Sequence, residues 1–338
     1  MTTSPAEPSL SIIVDNYNYA QFLEEALDSV LAQLNSGDEL IVIDDGSTDG
    51  SPELLHRYQA NHGVKLHEQP NQGQLKAVRV GIDMARGDVV VLLDSDDYFL
   101  PGYLDRLREI YARYPAVDFV FADAEVGGSA ASGNHSARRA IDSMELEPGV
   151  IGTTRWGTIL FFEFVGMSTS GVSLRRALAQ KIITLPEHLN KTRRIPPLLV
   201  RLLRISSTEA KKAGLTADGL IVRAASMLGA VKFYDHRPGF FYRIHGKNKY
   251  ANASALGRRY LRQHRKALIV SSVLQHFGLS SRPTAQELQD EVLQRHFGRR
   301  FRRRLHIRTR YCLAAITARG TLKQRLLAAA AAAGVLRG

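Results

Sequence analysis

Short apolar runs alternate with amphipathic segments over the first third of the chain. Residues 10–14, 39–43 and 88–93 are rich in Val, Ile and Leu, which is typical of strands buried on both faces. Between them, residues 20–34 and 74–85 repeat apolar positions at helical spacing. The same alternation adds a helix at 51–61 and strands at 64–67 and 119–123. An alternating pattern of this length predicts an α/β fold with right-handed crossovers and a mostly parallel central sheet flanked by helices.

The second half of the chain is less regular. Residues 127–133 are small and polar and predict a loop, whereas 156–165 are apolar. We expect helices at 174–181 and 220–228 and a strand at 240–244, followed by a helical region from 256 onward with a break near 278–283.

Acidic and amide side chains follow three of the predicted strands. Asp15 and Asn16 follow the first, Asp44 and Asp45 the second, and a group beginning at Asp94 follows the strand at 88–93. Turn formation and helix capping explain any one cluster, but three at the ends of one sheet favour a ligand site, because ligands bind at the carboxyl ends of parallel strands.

Charge is distributed unevenly along the chain. The net charge is +12, but residues 255–338 hold 18 Lys/Arg against 3 Asp/Glu, and the preceding part holds 27 against 30. Cys312 is the only cysteine, which excludes an intramolecular disulfide and argues against a cysteine-built zinc site. The chain start lacks the pattern of a secretion signal and no run is long enough to span a membrane, so we expect a cytoplasmic protein.

Three motifs in order carry a family resemblance. They are VIDDGSTDGS at 42–51, NQG at 71–73 and LLDSDDYFLPGYL at 92–104. Together with the first strand and helix, they resemble glycosyltransferase family 2, the inverting family with the GT-A fold, a Rossmann-like nucleotide-binding architecture. This resemblance implies transfer of a sugar from a nucleotide-sugar, expected to be a UDP-sugar, onto an acceptor hydroxyl, in bacterial-type cell-surface polysaccharide or glycolipid synthesis.

The DSD segment matches the Asp-X-Asp motif of that family. The resemblance implies that Asp96 ligates Mn²⁺ or Mg²⁺ directly and that Asp94 lies near the ribose or the metal's water shell. Oxygen ligands select such ions, which balance charge on a diphosphate leaving group. For Asp97, helix capping and contact with the donor sugar both remain open.

Other residues of the first half are expected to bind the nucleotide. By resemblance, Asp45 hydrogen-bonds the base and Asp15 lines the same pocket, whereas Asp44 is expected to turn the chain. Gly73, like Gly46, permits a backbone conformation or a close approach that a β-carbon would hinder. Lys76 and Arg79 at the start of a helix are candidates for the diphosphate, with an exposed helix face as the alternative.

The second half is expected to supply the base and further ligands. An inverting transfer needs a base near the acceptor hydroxyl, and Asp218 stands at the place of the family's catalytic acid, with helix capping as the alternative. His245, in a segment similar to YRxHxxN, is expected to reach the metal or the diphosphate. Ser170, Gly171 and Arg175 resemble an acceptor-side loop, for which capping by Ser170 is the alternative.

These features predict three regions. Residues 1–125 form the nucleotide-sugar-binding half of a GT-A domain, 126–254 its acceptor-binding half, and 255–338 a basic helical extension separable from catalysis. Residues 294–310 place Phe297, Phe301 and Leu305 on one helical face among arginines. Such a helix either lies on an anionic membrane, which would bring the enzyme peripherally to a lipid-linked saccharide acceptor, or packs its apolar side on the body.

Two other functions compete with glycosyl transfer. A sugar-phosphate nucleotidyltransferase would carry a Gly-rich basic loop after its first strand, where this chain has DNYNYAQF. A non-catalytic protein that binds nucleotide-sugar, nucleic acid or membrane would not need Asp94, Asp96 and Asp218 together. We therefore expect a nucleotide-sugar donor and a saccharide acceptor as partners, and not nucleic acid.

Overall fold

The computed structural model describes residues 7–128, 146–186, 216–245, 255–294 and 301–333. Within these ranges the chain forms a nine-stranded sheet flanked by helices. The strands are β1 (Leu10–Asn16), β2 (Glu39–Asp44), β3 (Lys65–Glu68), β4 (Val89–Asp94), β5 (Tyr98–Phe99), β6 (Phe119–Gly127), β7 (Gly149–Gly152), β8 (Val172–Arg175) and β9 (Lys232–Arg243).

The strand order divides the sheet into two parts. It runs β3-β2-β1-β4-β8-β6-β9-β5, with β7 also paired to β9. The first four strands are parallel, as the alternating pattern predicts. In the rest of the sheet, β8 is antiparallel to both of its neighbours, and β5 and β7 are antiparallel to β9. The α/β class is confirmed, and its parallel part is the half that carries the acidic motifs.

The first four helices flank the parallel strands. Leu23, Ala26, Leu27 and Val30 of the first helix are buried, as its spacing predicts, and strands β1, β2 and β4 are buried on both faces. These helices are α1 (Ala20–Leu31), α2 (Ser51–His62), α3 (Gln74–Met84) and α4 (Tyr103–Arg113).

The second half contains three further helices in the described ranges, α5 (Arg155–Phe161), α6 (Arg176–Ile183) and α7 (Ala217–Met227). A 3₁₀ turn, Thr169–Gly171, leads into β8. Strand β8 occupies part of the segment predicted as helix 174–181, because Val172 and Leu174 fill the interior between β4 and β6. Strand β9 is longer than predicted, since it pairs along all of β6.

The C-terminal region is helical, with the predicted break between its first two helices. It forms α8 (Ala255–His276), α9 (Ala285–Gln294), α10 (Phe301–Thr317) and α11 (Leu322–Ala333). Helix α8 packs on α7, and α9 packs on α5 and β7, so this region covers the acceptor half of the body. Of the predicted amphipathic helix at 294–310, Phe297 lies outside the described residues, as do the side chains of Phe301 and Leu305, so both alternatives for it stay predictions. Among the helices of the described ranges, none combines the length and apolar content of a membrane span.

Candidate active site

The carboxyl ends of three neighbouring strands bring the predicted acidic clusters together. In the parallel register, Asp15 of β1 lies beside Asp94 of β4, and Asn16 lies beside Asp44 of β2. Parallel strands end at a common edge, so three clusters far apart in sequence lie together at one edge of the sheet. This edge is the candidate active site.

An acidic cluster forms where β4 ends. Asp94, Asp96 and Asp97 each offer a carboxylate oxygen, and these atoms lie within 4.8 Å of one another. Burial is the main cause that raises the pKa of Asp94 well above its ordinary value. Neighbouring carboxylates raise it further, in the order Asp15, Asp96, Asp97 and Asp218. Hard oxygen donors that repel one another at this spacing fit a divalent cation such as Mg²⁺ or Mn²⁺.

Asp97 ties three segments of the cavity together. Its carboxylate accepts hydrogen bonds from the Ser170 hydroxyl at 2.5 Å and from the Arg243 backbone N–H at 2.9 Å. Burial, followed by the charge of Asp96, raises the pKa of Asp97 to about 8. Ser170 Oγ also accepts from the backbone N–H of Asp94 at 3.1 Å. Ser170 and Asp97 therefore hold the acidic cluster against the 3₁₀ turn and the end of β9.

His245, directly after β9, reaches the acidic cluster. Its Nε2 lies 2.9 Å from Asp96 Oδ2, and its ring is 8% exposed. The ring packs edge-on against Tyr19 and at a tilt against Phe22, with centroids 5.4 and 5.3 Å away. The imidazole therefore lies within hydrogen-bonding distance of Asp96, and its contact with a metal or a diphosphate remains a prediction.

Arg243 and Gln74 support the acidic cluster and were missed in the sequence. Arg243 Nε donates to the backbone carbonyl of Asp96 at 2.9 Å while the guanidinium lies over the Phe22 ring. Gln74, the first residue of α3, donates from Nε2 to Asp94 Oδ1 at 2.7 Å. Gln74 follows the NQG motif and Arg243 lies within the YRxHxxN-like segment. Their proximity to these motifs is the feature of the sequence from which their role could have been predicted.

Asp45 organises the loop between β3 and α3. Its carboxylate accepts from Gln69 Nε2 at 2.7 Å and from the backbone N–H groups of Gln72 and Gly73 at 2.8 and 2.7 Å. Gly46 has φ +76°, and a Cβ there would lie 2.8 Å from the Asn71 nitrogen, so this close approach requires glycine. The contact of Asp45 with the nucleotide base remains a prediction. The carboxylate that would make it is held in place by these three hydrogen bonds.

Asp44 turns the chain, as predicted. Its side chain accepts hydrogen bonds from Asn16 Nδ2 and from both the N–H and the hydroxyl of Ser47. Gly73 has φ +91°, and a Cβ there would meet no atom within 4 Å, so backbone conformation and not close approach is its constraint.

The two cations of α3 differ in position. Lys76 is half-buried, whereas Arg79 is buried at 9% exposure, with a guanidinium N–H 3.5 Å from the carbonyl oxygen of Ile183. Burial of Arg79 removes the exposed-face alternative for that residue and shows a packing role between α3 and α6. Diphosphate contact by either residue remains a prediction.

Asp218 lies in the first turn of α7 and contributes to the electrostatics of the same cavity. Thr216 caps the helix, since its Oγ1 accepts from the Gly219 N–H at 3.3 Å, and the Asp218 carboxylate in the first turn also interacts favourably with the helix dipole, so both interpretations of Asp218 stay predictions. Its charge is among those that raise the pKa of Asp94. The charge of Asp218 thus acts on a carboxylate more than a hundred positions earlier in the chain.

The acceptor-side candidates are divided by the fold. Ser170 lies at the acidic cluster, and Gly171 packs where a Cβ would lie 2.6 Å from the Phe240 ring. Arg175 lies elsewhere: it pairs with Val89, at the opposite end of β4 from Asp94. Its guanidinium donates to the backbone carbonyls of Tyr111, Pro115 and Val117. The structure therefore places Arg175 in a structural contact with the end of α4 and not beside the cavity.

Comparison with known proteins identifies the family. The family model for glycosyl transferase family 2 matches residues 11–169. An uncharacterized glycosyltransferase of Nostoc sp. is 31% identical over 248 residues, which cover 73% of this chain and 68% of that protein. The chain belongs to glycosyltransferase family 2.

Other relatives agree with this assignment. An uncharacterized glycosyltransferase of Haemophilus influenzae is 40% identical over 101 residues, which cover 29% of this chain and 40% of that protein. Among solved structures, S. aureus TarS residues 1–349 in complex with UDP-GlcNAc has a TM-score of 0.52 and 16% identity, covering 97% of this chain and 91% of that one. A second TarS structure has a TM-score of 0.53 over 96% of this chain and 53% of that one. At this identity, the likeness establishes a shared GT-A fold.

The family 2 match ends before β8, α7 and β9. These elements nevertheless complete the cavity, since Arg243 and His245 contact the acidic cluster directly. The segment after residue 169 is thus part of the same site as the segment that the family model matches.

Proposed function

We propose that this family 2 glycosyltransferase transfers a sugar from a UDP-sugar onto a hydroxyl of a saccharide or lipid-linked saccharide, with inversion, in bacterial-type cell-surface polysaccharide or glycolipid synthesis. The observation that carries the proposal is the cluster of Asp94, Asp96 and Asp97 at the carboxyl end of β4. TarS, which shares the fold, has been crystallised with UDP-GlcNAc, and this supports a UDP-sugar donor.

In this proposal the acidic cluster forms the metal site. Asp96 and Asp94 supply carboxylate oxygens, and His245 lies within reach of Asp96. A bound Mn²⁺ or Mg²⁺ would stabilise the negative charge that develops on the departing diphosphate. Gln74 and Arg243 orient the cluster, because they donate to Asp94 and to the Asp96 carbonyl respectively.

The proton of the acceptor hydroxyl must be taken up by a base on the acceptor side of the site. In an inverting reaction the acceptor oxygen approaches the anomeric carbon from the face opposite the leaving group, so a base on the acceptor side is required. Asp218 is the carboxylate that the acceptor half contributes here. Among other acids of the second half, Asp235 is bonded by Arg106 and Arg237, and Glu209 lies outside the described residues.

The test of donor binding uses Asp96→Asn and measures the melting temperature with UDP across a Mn²⁺ titration. Binding at a hundred times the dissociation constant stabilises the folded state by about 2.7 kcal/mol. We expect UDP to stabilise the unmodified protein only with Mn²⁺, and Asp96→Asn to lose this metal-dependent part. Asp83→Asn, the same substitution at an exposed position of α3, is the matched control. Unchanged Mn²⁺ dependence in Asp96→Asn would exclude the proposed metal site.

A further inference from the structure

The last two helices expose an unusual concentration of apolar side chains. Of the seven large apolar residues exposed within the described ranges, five lie on α10 and α11. They are Leu313 at 61%, Ile316 at 61%, Leu322 at 73%, Leu326 at 61% and Leu327 at 39% exposure. We name this surface the hairpin strip. The two helices that carry these side chains pack against each other, and large exposed apolar patches mark interaction surfaces.

The charge around the hairpin strip has a single sign. Residues 301–338 contain no Asp or Glu. Arg310, Arg319 and Lys323 are exposed on or between the two helices. A surface that combines leucines with cations and lacks acids complements an anionic and partly apolar partner.

The hairpin is packed, so the strip is not a product of loose helix ends. Small residues let α10 and α11 approach closely, with Ala315, Ala328 and Ala331 buried. Arg308 donates to the Ala333 carbonyl at 3.0 Å and thereby joins the middle of α10 to the end of α11. The leucines therefore face outward from a formed interface.

The hairpin is also joined to the body beside the acceptor half. Tyr311 of α10 donates from its hydroxyl to Glu291 of α9 at 2.6 Å and packs edge-on against Phe161 of α5. From α5 the chain runs to Ser170 at the acidic cluster. A partner on the hairpin strip would thus be linked to the acceptor side of the cavity through α5.

We propose that the hairpin strip docks on an anionic lipid bilayer, with the leucines at the acyl boundary and the cations at the headgroups. Interfacial helices bind in this way, through apolar area together with attraction to anionic lipid. A second copy of the chain is disfavoured, because two all-cationic faces repel each other. Nucleic acid would engage the cations and leave the leucines in water. The proposal places the membrane contact at residues 310–327, whereas the sequence offers it as one of two alternatives for residues 294–310.

The experiment is vesicle flotation with the full chain, comparing phosphatidylcholine alone with phosphatidylcholine plus phosphatidylglycerol. One variant combines Leu313→Gln, Ile316→Gln, Leu322→Gln and Leu326→Gln, and a second combines Arg319→Glu with Lys323→Glu. We expect the unmodified protein to bind only the anionic vesicles, and each variant to lose roughly tenfold or more of that partition. Val150→Gln and the pair Arg57→Glu with Arg113→Glu, exposed positions on the body, should leave it unchanged.

Circular dichroism and melting temperature show whether each variant is folded. If the variant with four Gln substitutions is not folded, the variant with Arg319→Glu and Lys323→Glu provides the test. Equal partition to neutral vesicles, or unchanged binding by the charge pair, would overturn the proposal. It would also fail if the hairpin variants instead abolished self-association in light scattering or binding of a labelled duplex. UDP binding with Mn²⁺, measured on the same variants, is expected to be intact, which separates this test from that of the proposed function.

Discussion

The acids of the cavity differ in what their side chains contact. Asp45 and Asp97 accept backbone N–H groups and hold loops, whereas Asp94 accepts from the Gln74 side chain and Asp96 lies against His245. Carboxylates bonded by backbone donors are costly to disturb, because each buried donor left without an acceptor costs about 1–3 kcal/mol. Asp45 and Asp97 therefore maintain the structure of the site, whereas Asp94 and Asp96 are suited to bind a ligand.

At this scale we predict that Asp218→Asn lowers the turnover number about 10²- to 10⁴-fold while donor binding stays intact. A general base contributes a factor of about that size, and the amide is nearly isosteric but cannot take the proton. Single-turnover kinetics with a UDP-sugar and acceptor, together with UDP titration, measure the two effects separately.

Asp235→Asn is the matched control for that prediction. Asp235 is buried and paired with Arg106, so its loss should lower stability and leave the turnover of the folded fraction near normal. If Asp218→Asn turned over at a normal rate, the base would have to be another group.

At the scale of elements, the C-terminal region caps a helix of the body. Glu291 of α9 is 2% exposed and accepts the backbone N–H groups of Trp156 and Gly157 in the first turn of α5, at 2.8 and 2.9 Å. These donors have no partner within their own helix, and a carboxylate there also interacts favourably with the helix dipole. A side chain of the extension thus completes an element of the acceptor half.

We predict that Glu291→Ala destabilises the protein by at least about 2 kcal/mol, because two buried N–H groups and the Tyr311 hydroxyl lose their acceptor. Urea denaturation measures the change. Asp290→Ala removes the same charge one position earlier, from an exposed side chain, and should cost much less. Equal effects of the two substitutions would show that charge, and not the cap, is responsible.

At the scale of the whole molecule, the extension and the body share an apolar core. Leu268, Ile269, Val270 and Val273 of α8 are at most 7% exposed, and α8 packs against α7, which carries Asp218. Burying each such side chain is worth about 1.5–3 kcal/mol, and the sum is comparable to the whole stability of a typical domain, about 5–15 kcal/mol. The sequence-based expectation of a tail separable from catalysis does not take this packing into account.

We therefore predict that a chain ending at residue 254 loses cooperative unfolding and transfer activity. A chain ending at residue 294 keeps α8 and α9 and should stay folded, bind UDP with Mn²⁺ and lose anionic vesicle binding. Calorimetry and flotation on both chains distinguish the two roles. A folded and active chain ending at residue 254 would contradict this assignment.

Part of the site could be predicted because it depends on local pattern. The acids follow apolar runs. Asp44, Asp45 and Gly46 lie in a turn that these adjacent residue types predict by themselves. Arg175 shows the limit of this reasoning, because its proximity in sequence to Ser170 did not show that the intervening strand β8 carries it to the far end of β4. A strand advances roughly 3.3 Å per residue, so a few positions separate two edges of a sheet.

The sequence by itself determined the parallel half of the fold, the edge at which the acids gather and the family. Apolar periodicity is a local property, and right-handed crossovers then place all the strand ends together. Only the tertiary structure decided that Ser170, Arg243 and Gln74 hold the cluster, that the charge of Asp218 acts on Asp94 and that Glu291 caps α5. These contacts join elements distant along the chain, and the direction of each polar side chain is set by the packing of its element against the others, which no local pattern records.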